Sequence, residues 1–511
     1  MAGLRRSDLL RAAGAGAVAL GTAPLLGRLA PAASAAPRRV YESRDGVLRA
    51  TLTAAPGTAR VGGQTVGGLR LYNGLYPGPF LRARPGDRLL LTVRNRLDIP
   101  TNTHFHGMHV SPLPHSDYVL LDQAPGTDYA YDVRIPANHP GGLFWYHPHR
   151  HMYTDPSVSS GLAGLLLIEG GAAALPELRG VRRRLFALQS TGTKVVDGQT
   201  VLDSDVASTQ VTTTLNGELL PTVRMQPGET QLWQIGNASN QAYYRLAIPG
   251  LAFTVVEEDG TMRWVSEEVE SAVLPPGKRF GILVTAPPRE TELRLVTEGY
   301  YEGPFGAYRP ATLATIAVAG PRVASRSVPR VLQARDDITD AEIARRRVIT
   351  LSESFSDAKG PLFYVNGVTY GGIRPGDVFR PRLGTAEEWV IRNAPSTRAG
   401  GVREAHPFHV HVNDFQVVAR GVWDPRTNTV VSRDRVVPAG TQDTISVRSQ
   451  RYVVIRTRFQ DFVGPTVFHC HILFHEDRGM MGRFDIVDEH GSDGMGGAGQ
   501  GGHGAHGMNH A

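Results

Sequence analysis

Pro85-Gly86-Asp87-Arg88-Leu89-Leu90-Leu91-Thr92-Val93-Arg94-Asn95 is a turn followed by a strand. Pro-Gly-Asp reverses a chain, the aliphatic run after it has the content of a β-strand, and a second turn residue closes it. Asn73-Gly74, a hairpin-turn signal, stands upstream. The same order of signals returns as Asn216-Gly217, Pro227-Gly228-Glu229 and Asn237, and more loosely as Asn366-Gly367, Pro375-Gly376-Asp377 and Asn393. The Asn-Gly pairs lie 143 and 150 residues apart, which is the length of a domain rather than of a solenoid repeat. Trp389-Val390-Ile391-Arg392 repeats the strand character in the third copy. The pattern predicts an all-β chain of three related β-sandwiches.

The bulk composition agrees. A chain of 511 residues with 58 Gly and 35 Pro has room for about three domains and many turns. Half of the formal charge of +6 lies in the first 35 residues, and no Lys/Arg run interleaved with aromatics follows, so nucleic acid is excluded as a partner. Arg5-Arg6, Leu9-Leu10, an Ala/Gly/Leu stretch to Leu26 and Ala33-Ser34-Ala35 resemble a twin-arginine export signal. That resemblance implies a bacterial protein exported by the twin-arginine machinery to the periplasm, cell surface or medium, with no stable membrane insertion once the signal is removed. Boundaries fall where composition loosens: 1–35 signal, 36–172 first domain, 173–325 second, 340–489 third, and 490–511 a Gly/His/Met tail with too little to bury for fixed structure. A single cysteine, Cys470, rules out an intramolecular disulfide.

The 18 histidines are unevenly placed: eight between His104 and His151, six between His406 and His475, four in the tail, and none from Met152 to Ala405. One unit recurs four times, as His104-Phe105-His106, His147-Pro148-His149, His409-Val410-His411 and His469-Cys470-His471. On a strand, residues i and i+2 share a face, so each unit presents two imidazoles side by side. Imidazole pairs alone suit copper, zinc, iron or nickel. Cys470, between two of them, must point to the opposite face, where His406, His475 and Met480 are candidate companions. Two His, one thiolate and a weak thioether describe a blue-copper electron-transfer site, whereas zinc would want a fourth firm donor. His109, His115, His139 and His151 read as surface residues or as residues behind the ligands.

These four segments resemble the copper-binding signatures of the multicopper oxidase family, over roughly residues 40 to 490. The resemblance implies three cupredoxin-like Greek-key domains and four copper ions. It makes His406, Cys470, His475 and Met480 the type 1 site, with Met480 favoured over Met481 by family spacing. It makes His104 and His409 the type 2 ligands, and His106, His147, His149, His411, His469 and His471 the type 3 ligands. It implies an oxygen-reducing enzyme of laccase type, acting on phenolic or aromatic donors, with Glu476 and Asp117 as proton-relay acids and with a middle domain that serves as spacer or substrate wall. An axial Met also implies a low-to-middle type 1 potential. A metallo-oxidase acting on Cu(I), Fe(II) or Mn(II) is the neighbouring alternative, and a non-catalytic copper-binding scaffold is the alternative of another class.

Overall fold

A computed structural model describes residues 39–203, 211–301, 307–356, 360–395 and 404–495. The proposed export signal and the tail beyond Met495 lie outside the described residues. Nearly every element is a strand, as the turn-and-strand pattern predicted, and no described helix is long and apolar enough to cross a membrane.

The stretch Arg88–Asn95 shows why. Leu89, Leu91 and Val93 point into a core with Leu48, Leu52, Phe105, Phe144 and Leu166, while Arg88, Thr92 and Arg94 face outward. Two further cores follow, one around Trp233, Phe253, Ile282 and Leu295, the other around Trp389, Phe408, Phe468 and Phe484. The threefold repeat extends to single atoms. Asn73, Asn216 and Asn366 all hold positive φ (56°, 56° and 52°), as do the glycines after them. Their side-chain oxygens accept backbone N–H groups from Thr53, Ala187 and Thr350 at 2.6, 2.8 and 2.8 Å. Asn95, Asn237 and Asn393 each donate from Nδ2 to two carbonyls that close the next loop.

In the first sandwich a sheet ordered Val40–Glu42, Phe80–Ala83, Gly164–Ile168, Gly142–His147, His104–His106 packs on a second layer. In the third, six strands ending at the Thr429–Arg435 edge cover the four-stranded sheet Thr444–Val447, His406–Val410, Gly464–Cys470, Met481–Ile486. One feature departs from three separate sandwiches. The strand Gln199–Leu202 lies beside Gln64–Tyr72, with Val201 opposite Gly67, so the first and middle sandwiches share one continuous 11-stranded sheet. A β-strand edge is completed by any strand of matching direction, which no local sequence signal announces.

The segment from His490 to Met495, read from sequence as the start of a structureless tail, is placed. Asp488 accepts the N–H groups of His490 and Ser492, Gly494 lies close to Val463 and Leu113, and Met495 is half-buried. A short turn with its own carboxylate cap needs little apolar burial to hold.

Candidate metal centre

Four short strands carry the histidine pairs. His104–His106 runs antiparallel to Gly142–His147, with His104 opposite His147. In the third sandwich His406–Val410 runs antiparallel to Gly464–Cys470, with Phe408 opposite Cys470 and His409 opposite His469. The pleat sends the imidazoles of His469 and His471 one way and the Cys470 sulfur the other. All eight paired histidines are 2% exposed or less, although they belong to two different sandwiches.

They gather into groups whose candidate ligand atoms lie within 4.8 Å: His149, His411 and His469; His106, His147 and His471; and His104, His106 and His409. In the first group the Nε2 of His469 is 3.1 Å from the Nε2 of both His149 and His411. In the second, His471 Nε2 is 3.2 Å from His106 Nδ1. Spacing showed which histidines pair along the chain, but not which meet across the interface. Each of these triads takes members from both ends of the chain.

The ring orientations are fixed from behind. Nδ1–H of His147 donates to the Pro148 carbonyl (2.8 Å), that of His469 to the Cys470 carbonyl (3.0 Å) and that of His409 to the Asp443 carbonyl (2.9 Å). His104 Nδ1 faces both oxygens of buried Asp117 at 3.0 and 2.9 Å, and Asp117 also accepts the Phe105 N–H. The Nε2 atoms of His104, His147 and His409 are then buried with no partner. An unmet buried polar atom costs about 1–3 kcal/mol, and a cation shared within each group removes that cost. Burial also pushes these imidazoles below their ordinary pKa, His149 to about 4, which keeps them neutral and ready to bind. The donors present therefore fit metal ions of the kind that prefer imidazole and thiolate.

On the other face, Cys470 Sγ lies 3.6 Å from His406 Nδ1 and 3.7 Å from His475 Nδ1. The three form a fourth buried group. Burial raises the Cys470 thiol well above its ordinary range, so its proton leaves only when a metal replaces it. Met480 is fully buried in the same apolar cluster as Cys470, and Cys470 N–H donates to its carbonyl at 3.0 Å. Met481 turns away and packs against Val119 and Val467. His475 is stacked on Phe363, with ring centroids 4.0 Å apart.

Glu476 is fully buried, with Oε2 3.0 Å from His469 Nδ1 and Oε1 3.6 Å from His149 Nε2. Because the His469 N–H is aimed at the Cys470 carbonyl, the first contact is electrostatic rather than a hydrogen bond. Burial pushes the Glu476 carboxyl up, and the facing imidazoles of His149 and His469 pull it below the ordinary range. Burial raises Asp117 to about 8, against the Phe105 N–H. His109, His115, His139 and His151 join none of the groups. His109 bridges Val412 O (2.7 Å) and Asp461 (2.9 Å), His115 stacks on Tyr129, His139 is buried and accepts the His109 N–H, and His151 packs on Tyr370.

Sequence reasoning missed the middle segment's contribution. Asp443 Oδ1 stands 3.4 Å from both His106 Nε2 and His409 Nδ1. Its carboxylate is clasped by fully buried Arg279, Nη1 at 2.9 Å and Nη2 at 2.7 Å. Behind it Asp259 accepts from Lys278 Nζ (2.9 Å) and from the backbone of Arg279, Asp443 and Thr444. The stretch without histidines thus grips the cage through charge, a role beyond spacer or wall. Lys278-Arg279 opening a strand of hydrophobic residues was the available signal. Trp145, stacked on His147 at 4.1 Å, was also missed.

Sequence signatures described as multicopper oxidase match residues 53–173, 187–297 and 340–490. A laccase of Bacillus subtilis (strain 168) is 25% identical over 479 residues, covering 82% of this chain and 90% of its own. A multicopper oxidase of Staphylococcus aureus is 24% identical over 432 residues, covering 81% of this chain and 83% of its own. Among solved structures, a multicopper oxidase from Campylobacter jejuni described as a metallo-oxidase superposes with a TM-score of 0.73 at 24% identity, over 89% of this chain and 95% of that one.

Proposed function

The chain belongs to the multicopper oxidase family, oxidoreductases that use copper and oxygen, and from that premise we propose a laccase-like activity: single electrons drawn from small phenolic or aromatic donors, four of them spent in turning dioxygen into water. On this reading four copper ions are held in each chain. His406, Cys470, His475 and weakly Met480 hold type 1; His104 and His409 hold type 2; and the triads His106-His147-His471 and His149-His411-His469 hold the type 3 pair. Bound there, copper supplies one-electron redox chemistry and the reduction of dioxygen.

The rest is the work of the chain. The backbone of residues 469–471 joins the Cys470 sulfur to one imidazole of each triad. Asp117 orients His104, and the Asp443 carbonyl orients His409. Glu476 and Asp117 are the carboxyls placed to hold and pass protons beside the cage. Interdomain packing leaves the histidines almost no contact with bulk water. The observation that carries the reading is the single strand Gly464–Cys470, whose sulfur meets His406 and His475 while its flanking imidazoles enter two different triads.

One observation favours a metal-ion donor instead. Glu404 Oε2 lies 3.6 Å from Nε2 of His475, and buried Glu353 is near enough to raise the Glu404 carboxyl further than burial alone does. Hard oxygen donors at the edge of an electron-accepting imidazole suit Fe(II) or Mn(II). Oxygen consumption by the copper-loaded protein, with a methoxyphenol, bilirubin, Cu(I), Fe(II) and Mn(II) in turn, tests the choice. Fastest uptake with the phenol upholds the laccase reading, and a faster metal ion replaces it with a metallo-oxidase. Copper binding without oxygen uptake leaves the scaffold. The proposal includes twin-arginine export, on Arg5-Arg6 and Ala33-Ser34-Ala35. N-terminal sequencing of protein recovered outside the cytoplasm tests that.

A further inference from the structure

Eight imidazoles with 2% exposure or less cannot collect metal ions directly from solvent. A cavity of about 490 Å³ opens beside them with His149, a cage histidine, in its wall. The cationic side chains around it are already committed: Arg150 to Asp122 at 3.0 Å and Arg483 to Asp485 at 2.8 Å. Asp493, also in the wall, accepts the Met495 N–H at 3.1 Å, and soft donors stand beside it. Met481 and Met495 both line the cavity, and His151, which also lines it, has a buried Nδ1 with no hydrogen-bond partner. Past Met495 the sequence runs on with donors of the same two kinds, His503, His506, Met508 and His510.

We propose that this cavity is a cuprous-ion inlet, in which the Met481 and Met495 thioethers and the His151 imidazole hold Cu(I) on its way to His149 and the cage. The inference rests on the copper reading above. A thioether carries no charge and no proton, so it discriminates strongly for soft monovalent copper and against Mg²⁺, Mn²⁺ or Ca²⁺, which want oxygen. Thioethers also bind weakly, which lets an ion be handed on to stronger imidazoles rather than trapped. Dioxygen passing through the same space would need only its volume. The two uses of the cavity therefore differ in whether sulfur matters.

The test uses full-length protein prepared without copper and given Cu(I) as its acetonitrile complex in the absence of oxygen. Copper retained against a chelator is counted over time, and the blue colour of the Cys470 site is followed on reoxidation. Met481→Leu with Met495→Leu keeps the volume and removes the sulfur. Filling of the cage should slow about tenfold, the scale of losing a supporting group at a metal site, while the blue site appears at the wild-type rate. Met495→Leu alone, at a half-buried position that does not threaten the core, should slow it in the same direction. Cage filling at the wild-type rate in both variants overturns the inlet. Wild-type protein that takes up no copper at any site would instead overturn the copper reading itself.

Discussion

The two faces of the strand Gly464–Cys470 carry sites of opposite construction. The Cys470 face is local: His406, Cys470, His475 and Met480 all belong to the third sandwich, and His475 and Met480 lie within or just past the short helix that follows the strand. The histidine face is assembled from remote parts. Its imidazoles come from both ends of the chain, and the charges behind them come from the middle segment. A site made of neighbours forms when one domain folds, whereas a site made across an interface forms only when the interface does. The two should therefore fail separately, each to a different insult.

The largest effect expected is from Cys470→Ser. It should abolish the blue colour and oxygen consumption together, while copper counting finds the cage still occupied; a blue and active serine variant would break the distinction between the faces. Arg279→Met comes next, because it strands the Asp443 carboxylate in the interior without its cation, at a cost of about 3–5 kcal/mol by the usual penalty for breaking a buried pair. Thermal unfolding should register the loss, and copper counting should show the cage depleted while the Cys470 site stays blue. Equal depletion of both sites would mean that the middle segment supports the fold generally rather than the cage.

Acid should act more on the cage than on the Cys470 face. Burial lowers His149 to about 4 and His406 to about 3 from 6.5. A histidine with a depressed folded pKa takes its proton first in the unfolded chain, so stability present above about 6.5 is lost as pH falls towards those lower values. With seven such imidazoles in the cage and two beside Cys470, acid should release cage copper before the blue colour fades. Urea midpoints of the copper-free chain, and copper release followed against pH, check the order. The smallest effect is Met480→Leu, which should raise the reduction potential of the Cys470 site by removing a weak donor and leave the cage unchanged. Met481→Leu should leave that potential where it was, since Met481 packs on Val119 and Val467 instead.

Much of this was legible in the sequence. The Asn-Gly and Pro-Gly turn pattern marked three β units, and the structure repeats its hydrogen bonds almost atom for atom. Strand geometry alone set Cys470 against His469 and His471. The choice between Met480 and Met481 leaned on family spacing, and the structure places the two side chains in different apolar clusters. Lys278-Arg279 stood out at the head of a hydrophobic strand, but its pairing with Asp443 was not legible, because no fixed offset ties an acid at 443 to a guanidinium at 279.

The sequence by itself determined the donor chemistry and its short-range geometry, because a β-strand has a period of two and a turn residue acts on its immediate neighbours. The tertiary structure alone decided which imidazoles form each triad, which charges brace them and where the cage opens, because those contacts join residues hundreds of positions apart. Such contacts depend on how whole sheets pack and on burying charge in pairs, and neither leaves a periodic mark along the chain.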